Sequence, residues 1–393
     1  MNFWDRLIAT LQSWLSSELT VGVIATLIAG TVATLVIAPA RRAVIRVFQK
    51  IADVWAAESR LRRATNAVDA DGVWLTKPMI QPADYAMKMR GSIPIITVAN
   101  LKGGVGKTTI AANLAAFYSM AKGERILLID LDFQGSLSSM LVHRNQMIPM
   151  GTRSKAAALI GDSISANHFL QMLLPVDRMT SAHCVPAYYD LAGAENQSMV
   201  KWLIRADKTD VRYKLAELLL DQAVQDKFDK VIIDAPPRMT TGAIQAFCAS
   251  THVLIPTILD GLSGDAVATF VNELESLKEA DVCPHLKVVG VVGSMTASNI
   301  GRKLEDNPDD DPPLSVAERQ GIAVLNSALE RIQKERRLSA PPAKMLPPST
   351  YIQRLAVIAN NAGETVVFAT GNEAVKEMFE RLGREVQLRL SER

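Results

Sequence analysis

Two lysines five positions apart bracket three glycines in Lys102-Gly-Gly-Val-Gly-Lys107, and two hydroxyl residues, Thr108 and Thr109, follow. These residue types suit a phosphate chain. Gly103, Gly104 and Gly106, with Val105 between them, let backbone N–H groups surround phosphate oxygens without side-chain clash. Lys107 adds a full positive charge, and a helix N-terminus adds a partial one. The setting agrees, because the loop lies between the apolar run Ile93–Val98 and the helical stretch Ile110–Met120. The general pattern G-x-x-x-x-G-K-[ST] asks for glycine at 101, where this chain has Leu101; Lys102 opens the loop instead. A glycine-rich turn without a ligand is the bland alternative.

Two carboxylates stand where such a loop needs them. The apolar run Ile126–Asp130 is followed by Asp132, Gln134, Gly135 and Ser136. The run Lys230–Asp234 ends in Asp234 and continues Ala-Pro-Pro237. Ligand groups in open α/β sheets gather at the carboxyl ends of parallel strands. An aspartate ending a buried strand, opposite the hydroxyl of Thr108, suits a hydrated magnesium ion. Capping of a helix by Asp132 or Ser136 is the structural alternative. His252–Pro256 and Val288–Val292 are further strand-length runs separated by the helical stretch Asp265–Lys278. The alternation predicts an α/β P-loop fold, a mostly parallel sheet with helices on both faces.

The loop Lys-Gly-Gly-x-Gly-Lys-Thr resembles the deviant Walker A loop of the ParA/MinD family of ATPases. Asp130-Leu-Asp-Phe-Gln-Gly-Ser136 resembles the family's switch segment, with Phe133 in place of the usual proline, and Lys230–Pro237 resembles its Walker B strand. Val288–Thr296, Leu346–Thr350 and the closing helix Asn372–Val386 resemble its C-terminal part, so the likeness covers about residues 93–387. It implies ATP and Mg²⁺ as cofactors, bound by Gly103, Gly104, Val105, Gly106, Lys107, Thr108 and Thr109, with Thr108, Asp132 and Asp234 around the metal. It implies catalytic roles for Lys102, Lys107 and Asp132: Asp132 orients the attacking water, and Lys102 reaches the partner's phosphates across an ATP-sandwich homodimer. Met295, Thr296 and Pro347 are candidate base contacts. The implied function is slow ATP hydrolysis that switches or positions an unidentified protein partner. A membrane-linked tyrosine autokinase would want a tyrosine-rich tail, which Gln387–Arg393 lacks. A nucleotide-gated scaffold or effector is the other alternative. A reductase of the nitrogenase iron-protein type would need cluster-ligating cysteines, and none is placed for that.

The chain has 393 residues and a formal net charge of +2. Residues 1–92 carry 11 basic and 7 acidic groups and the remainder 32 and 34, so the catalytic part gives no electrostatic support for DNA binding. Cys184, Cys248 and Cys283 form no metal or disulfide motif. Val21–Ala38 holds no charge, and Arg41, Arg42, Arg46 and Lys50 follow. This predicts a transmembrane helix over 19–39, with the ATPase in the cytoplasm of a single-pass inner-membrane protein and the bilayer as a partner. A cleaved signal peptide or a buried helix is the alternative. Phe3, Trp4, Leu7, Ile8, Leu11, Trp14 and Leu15 give an amphipathic helix over 1–18. Residues 40–92 are read as a juxtamembrane helix and linker, and 93–393 as the ATPase domain. Residues 143–189 and 299–346 exceed the compact pattern.

Overall fold

The computed structural model describes residues 72–76, 79–142, 154–204, 209–296 and 314–391, with isolated helical positions between 45 and 62. Two compact units are distinguished, one of residues 1–70 with 203–205 and one of 71–202 with 206–393. The first is described at single positions such as Arg62, which pairs with Glu58 at 2.9 Å.

The second unit is built on one eight-stranded sheet. Its strands are β1 Ile95–Val98, β2 Ile126–Asp130, β3 Leu174–Val176, β4 Met179–Val185, β5 Lys230–Asp234, β6 His252–Ile258, β7 Lys287–Thr296 and β8 Ile352–Gln353. They lie in the order β3-β4-β2-β5-β1-β6-β7-β8. Every pairing is parallel except the β3–β4 hairpin. From β1 the chain moves out to β2, returns to β5 beside β1, then crosses to β6 on the other side. The carboxyl ends of β1, β2, β5 and β6 therefore converge at a switch point, where loops of an α/β sheet form a crevice.

The helices are α1 Tyr85–Gly91, α2 Lys107–Ala116, α3 Ser136–Leu141, α4 Lys155–Gly161, α5 Ala166–Met172, α6 Asp190–Leu203, α7 Lys214–Leu219, α8 Gln222–Lys227, α9 Thr241–Ala249, α10 Gly261–Glu279, α11 Val316–Glu335, α12 Ala356–Asn360 and α13 Glu373–Ser391. Strand side chains alternate between two apolar layers. Leu127, Ile129, Val231 and Ile233 join α9 and α10 on one face. Ile126, Leu128 and Ile232 join α2 and α13 on the other. Burial on both faces is why these strands read as unbroken apolar runs. In α13, Val375, Met378, Phe379, Leu382 and Val386 are buried at helical spacing. A Cβ on Gly383 would stand 2.1 Å from Phe117 Cδ1, so glycine permits that contact.

Three differences from the sequence expectations stand out. The stretch 143–189 holds the β3–β4 hairpin, and β4 extends the sheet beside β2. Residues 72–92, read as part of a linker, supply Tyr85 and Met89 to the core, and the Tyr85 hydroxyl donates to the Cys248 carbonyl. The single-pass membrane localisation and the transmembrane element of the fold class are corrected: among the described residues no helix is long and apolar enough to cross a membrane. The long helices α10, α11 and α13 each carry charged residues along one face, which rules out a continuous apolar span. Segments 1–18 and 19–39 lie outside the described residues.

Candidate nucleotide site

Between β1 and α2 the chain turns with Gly104 at φ 72° and Gly106 at φ 82°, the left-handed region that glycine enters without strain. Two residues outside the glycine motif hold this turn. Asn100 Nδ2 donates to the Pro256 carbonyl at 2.7 Å, while its Oδ1 accepts from Lys102 N at 2.9 Å. Ser294 Oγ, at the end of β7, donates to the Val105 carbonyl at 2.7 Å. The loop is thereby tied to β6 and β7, which fixes where the first turn of α2 points.

Lys107 and Thr108 open α2. Lys107 is 7% exposed, and its Nζ donates to the Lys102 carbonyl at 3.2 Å. Burial lowers the pKa of its ammonium, and the nearby carboxylates of Asp234 and Asp132 oppose that shift. Thr108 Oγ1 donates to Asp234 Oδ2 at 2.7 Å. Asp234 is 1% exposed, and its Oδ1 has no hydrogen-bond partner. Burial raises its carboxyl pKa well above the usual range, with the charge of Asp130 adding and the Thr108 bond and Lys107 opposing. Asp130 behaves alike: burial pushes it up to about 7, although Ser138 N, Ser138 Oγ and Asp132 N donate to it at 2.9, 2.6 and 3.0 Å.

Asp132 is half-buried, and its Oδ1 accepts from Gln134 N at 3.0 Å while its carbonyl accepts from Gly135 N at 2.9 Å. This side-chain turn closes the segment without a proline at 133. Phe133 instead packs against Tyr189, with ring centroids 6.3 Å apart. The N-cap of α3 is Gly135, with no side-chain cap, so neither Asp132 nor Ser136 caps that helix.

Lys102 leaves the glycine loop sideways. Its Nζ donates to Ser263 Oγ at 2.6 Å and lies 3.7 Å from Asp260 Oδ2. Asp260 is the N-cap of α10 and accepts from Ser263 N at 2.6 Å. Three further sequence candidates, Met295, Thr296 and Pro347, lie at the end of β7 and in the turn after Leu346. Met295 is 43% exposed with φ 55°, and Thr296 is buried with an Oγ1 that lacks a partner. Pro347 accepts through its carbonyl from Thr350 Oγ1 at 2.7 Å, which fixes the turn after Leu346.

Like Asn100 and Ser294, a further residue of this region was not singled out from the sequence. Glu195 on α6 is 6% exposed. Its Oε1 accepts from Thr240 Oγ1 at 2.5 Å and Gly242 N at 2.7 Å, so it grips the loop that follows Asp234. Burial raises its carboxyl pKa, the two bonds counter the shift, and Asp132 adds to it. Its only sequence signal was a glutamate facing inward on a helix whose buried neighbours are Leu191, Ala194 and Ser198.

A family model described as an AAA domain matches residues 93–288. The chain is 32% identical over 208 residues to the chromosome-partitioning ATPase Soj of Thermus thermophilus, covering 53% of this chain and 71% of that protein. It is 33% identical over 213 residues to the chromosome partitioning protein ParA of Myxococcus xanthus, covering 53% and 68%. This chain belongs to the ParA/Soj family of P-loop ATPases. It is accordingly an ATP hydrolase with a nucleotide-binding P-loop. Among solved structures, apo McdA aligns with TM-score 0.57 at 19% identity, covering 76% of this chain and 99% of that one, which reports the shared fold. The ATP complex of a McdA variant from Cyanothece aligns with TM-score 0.56 at 18% identity, covering 75% and 97%.

Proposed function

We propose that the protein is an ATP-driven positioning switch: ATP joins two copies through their P-loops, hydrolysis separates them, and the alternation moves or places a protein partner. The names of the relatives, which describe chromosome partitioning, support positioning as the class of output. The observation that carries the reading is the convergence of Lys107, Thr108 and Asp234 at the end of the glycine loop, with the Lys102 side chain leaving that loop toward Ser263.

In this reading the N–H groups from Gly103 to Thr109 cradle the phosphates, and Lys107 contacts the β- and γ-phosphates. Thr108 Oγ1 and the carboxylates of Asp234 and Asp132 form an oxygen-only donor set, the kind magnesium takes. The orphaned Asp234 Oδ1 and its raised pKa fit that role, because a buried acceptor without a partner favours a cation. When bound, the ion neutralises charge developing on the transferred phosphate. Asp132 orients water at the γ-phosphate. Lys102 exchanges Ser263 and Asp260 of its own chain for the phosphates of the second copy, and that exchange makes pairing depend on ATP.

Light scattering of the purified full chain tests the pairing. With magnesium and ATP the mass should double, and with ADP it should stay at that of one chain. A mass indifferent to nucleotide sinks the switch.

A further inference from the structure

The loop that leaves Asp234 runs Ala-Pro-Pro-Arg-Met-Thr240 into α9. It is anchored on one side by Glu195, as described above. On the other side its anchor comes from residues that precede the matched domain, whose first residue is 93. Trp74 Nε1 donates to the Met239 carbonyl at 3.0 Å. The Trp74 ring stacks on Trp202 of α6, with centroids 6.0 Å apart and planes at 10°. The backbone of Trp74 is itself clamped. Arg212, fully buried, lies over Trp202 at 4.8 Å and donates to the carbonyls of Trp74 at 2.9 Å and Thr76 at 3.0 Å. Asp210 locks that guanidinium through two side-chain bonds of 2.9 and 2.6 Å, and accepts from Ile80 N at 3.1 Å.

We propose that Trp74 is a positioning residue for ATP hydrolysis, supplied by the N-terminal extension, that holds the loop after Asp234 in its working conformation. Pro236 and Pro237 have no N–H to donate, so few backbone bonds tie this stretch down. The bond that the Met239 carbonyl accepts from the Trp74 indole adds one from outside the loop. Trp202, which stacks on Trp74, and Glu195, which grips Thr240 and Gly242, ride on the same helix α6. The loop is therefore pinned from both sides by one helix and one strap. The strap's backbone is held by hydrogen bonds from the buried Asp210–Arg212 pair. The inference rests on Asp234 acting on magnesium.

The test is Trp74→Phe in the full chain, which keeps an aromatic ring against Trp202 and removes the indole N–H together with the fused ring. The expected result is a kcat lowered about three- to tenfold, the loss of one net hydrogen bond's worth of loop positioning. KM for ATP should stay within about twofold and the melting temperature within a few degrees. Hydrogen exchange at 238–242 should quicken in the variant. An unchanged kcat with unchanged exchange overturns the inference, as does a lowered melting temperature with unchanged kcat. Should the phenylalanine variant fail to fold, benzothienylalanine at position 74 removes the same donor in an isosteric ring and is judged by the same outcomes. Asp234→Asn separates the two claims. If it hydrolyses ATP with magnesium, the underlying reading fails; if it is inactive while Trp74→Phe is fully active, only the strap inference fails.

Discussion

Asp234→Asn should make the nucleotide-free protein more stable and leave it inactive. The carboxylate is buried, one oxygen has no partner, and burial has raised its pKa well above the usual value. A group whose folded pKa exceeds its unfolded pKa binds more protons in the folded state, so its contribution to stability falls as pH rises above the unfolded value near 4. The ionised form is therefore a burden at pH 8 and a small one at pH 4.5. Asparagine removes that charge and keeps an acceptor for Thr108 Oγ1, which stands at 2.7 Å. Its amide brings an unmet donor that offsets part of the gain, leaving about 1–2 kcal/mol of stabilisation at pH 8, within the range for a buried unpaired group. In a domain of this size that is a rise of about 2–6 °C. Thermal melts at pH 8 and pH 4.5, without nucleotide, read the difference. Melts with magnesium and ATP read the other half, because ligand linkage should raise the wild type by about 2–3 kcal/mol at a hundredfold excess over Kd. The variant should lose the magnesium-dependent part of that rise, and its hydrolysis should fall at least about a hundredfold. A variant less stable than wild type at pH 8, or one with intact magnesium-dependent hydrolysis, refutes the reasoning.

Glu195→Gln keeps shape and removes charge from an acceptor that receives Thr240 Oγ1 and Gly242 N. A loss of about 1–2 kcal/mol is expected in denaturant unfolding, together with a lowered kcat. Arg212→Ala leaves Asp210 buried and unpaired and strips two bonds from the strap, so unfolding free energy should fall by about 3–5 kcal/mol. Burial lowers His252 and His285 to about 4 each, below the ordinary value of 6.5. The unfolded chain then binds more protons than the folded one between those values, so their contribution is complete above pH 6.5 and lost as pH falls toward 4, at up to about 3 kcal/mol each. The difference between wild type and His285→Phe at pH 7.5 and pH 4.5 isolates one of them, and a pH-independent difference counts against the assignment.

How much was legible in the sequence follows from where the information lies. Lys107, Thr108, Asp132 and Asp234 could be read because each stands at a fixed offset from a buried strand, and a strand buried on both faces is a plain apolar run. Asn100 and Ser294 were harder: their bonds to Pro256 and Val105 join residues 156 and 189 positions apart, and no local pattern marks such a pair. Glu195 was hidden for the same reason. The hairpin of β3 and β4 escaped because Leu174–Val176 is short, holds Pro175 and sits at the sheet edge, where alternation is weak. The strap 72–92 read as a linker because Gly72, Pro78, Pro82 and Gly91 punctuate it. Its docking depends on Trp74, Tyr85 and a buried arginine more than a hundred residues downstream.

The most direct test of the central claim mixes two inactive chains. Lys102→Ala and Asp132→Ala are purified separately, each confirmed inactive alone, and combined in equal amounts with magnesium and ATP. If Lys102 serves the partner's phosphates, a mixed pair has one complete site, formed by Asp132 of one chain and Lys102 of the other. Hydrolysis should then return to about a quarter of the wild-type rate, because half the pairs are mixed and each carries one of two sites intact. A mixture as inactive as its components means that Lys102 acts within its own chain or not at all, and contradicts the account.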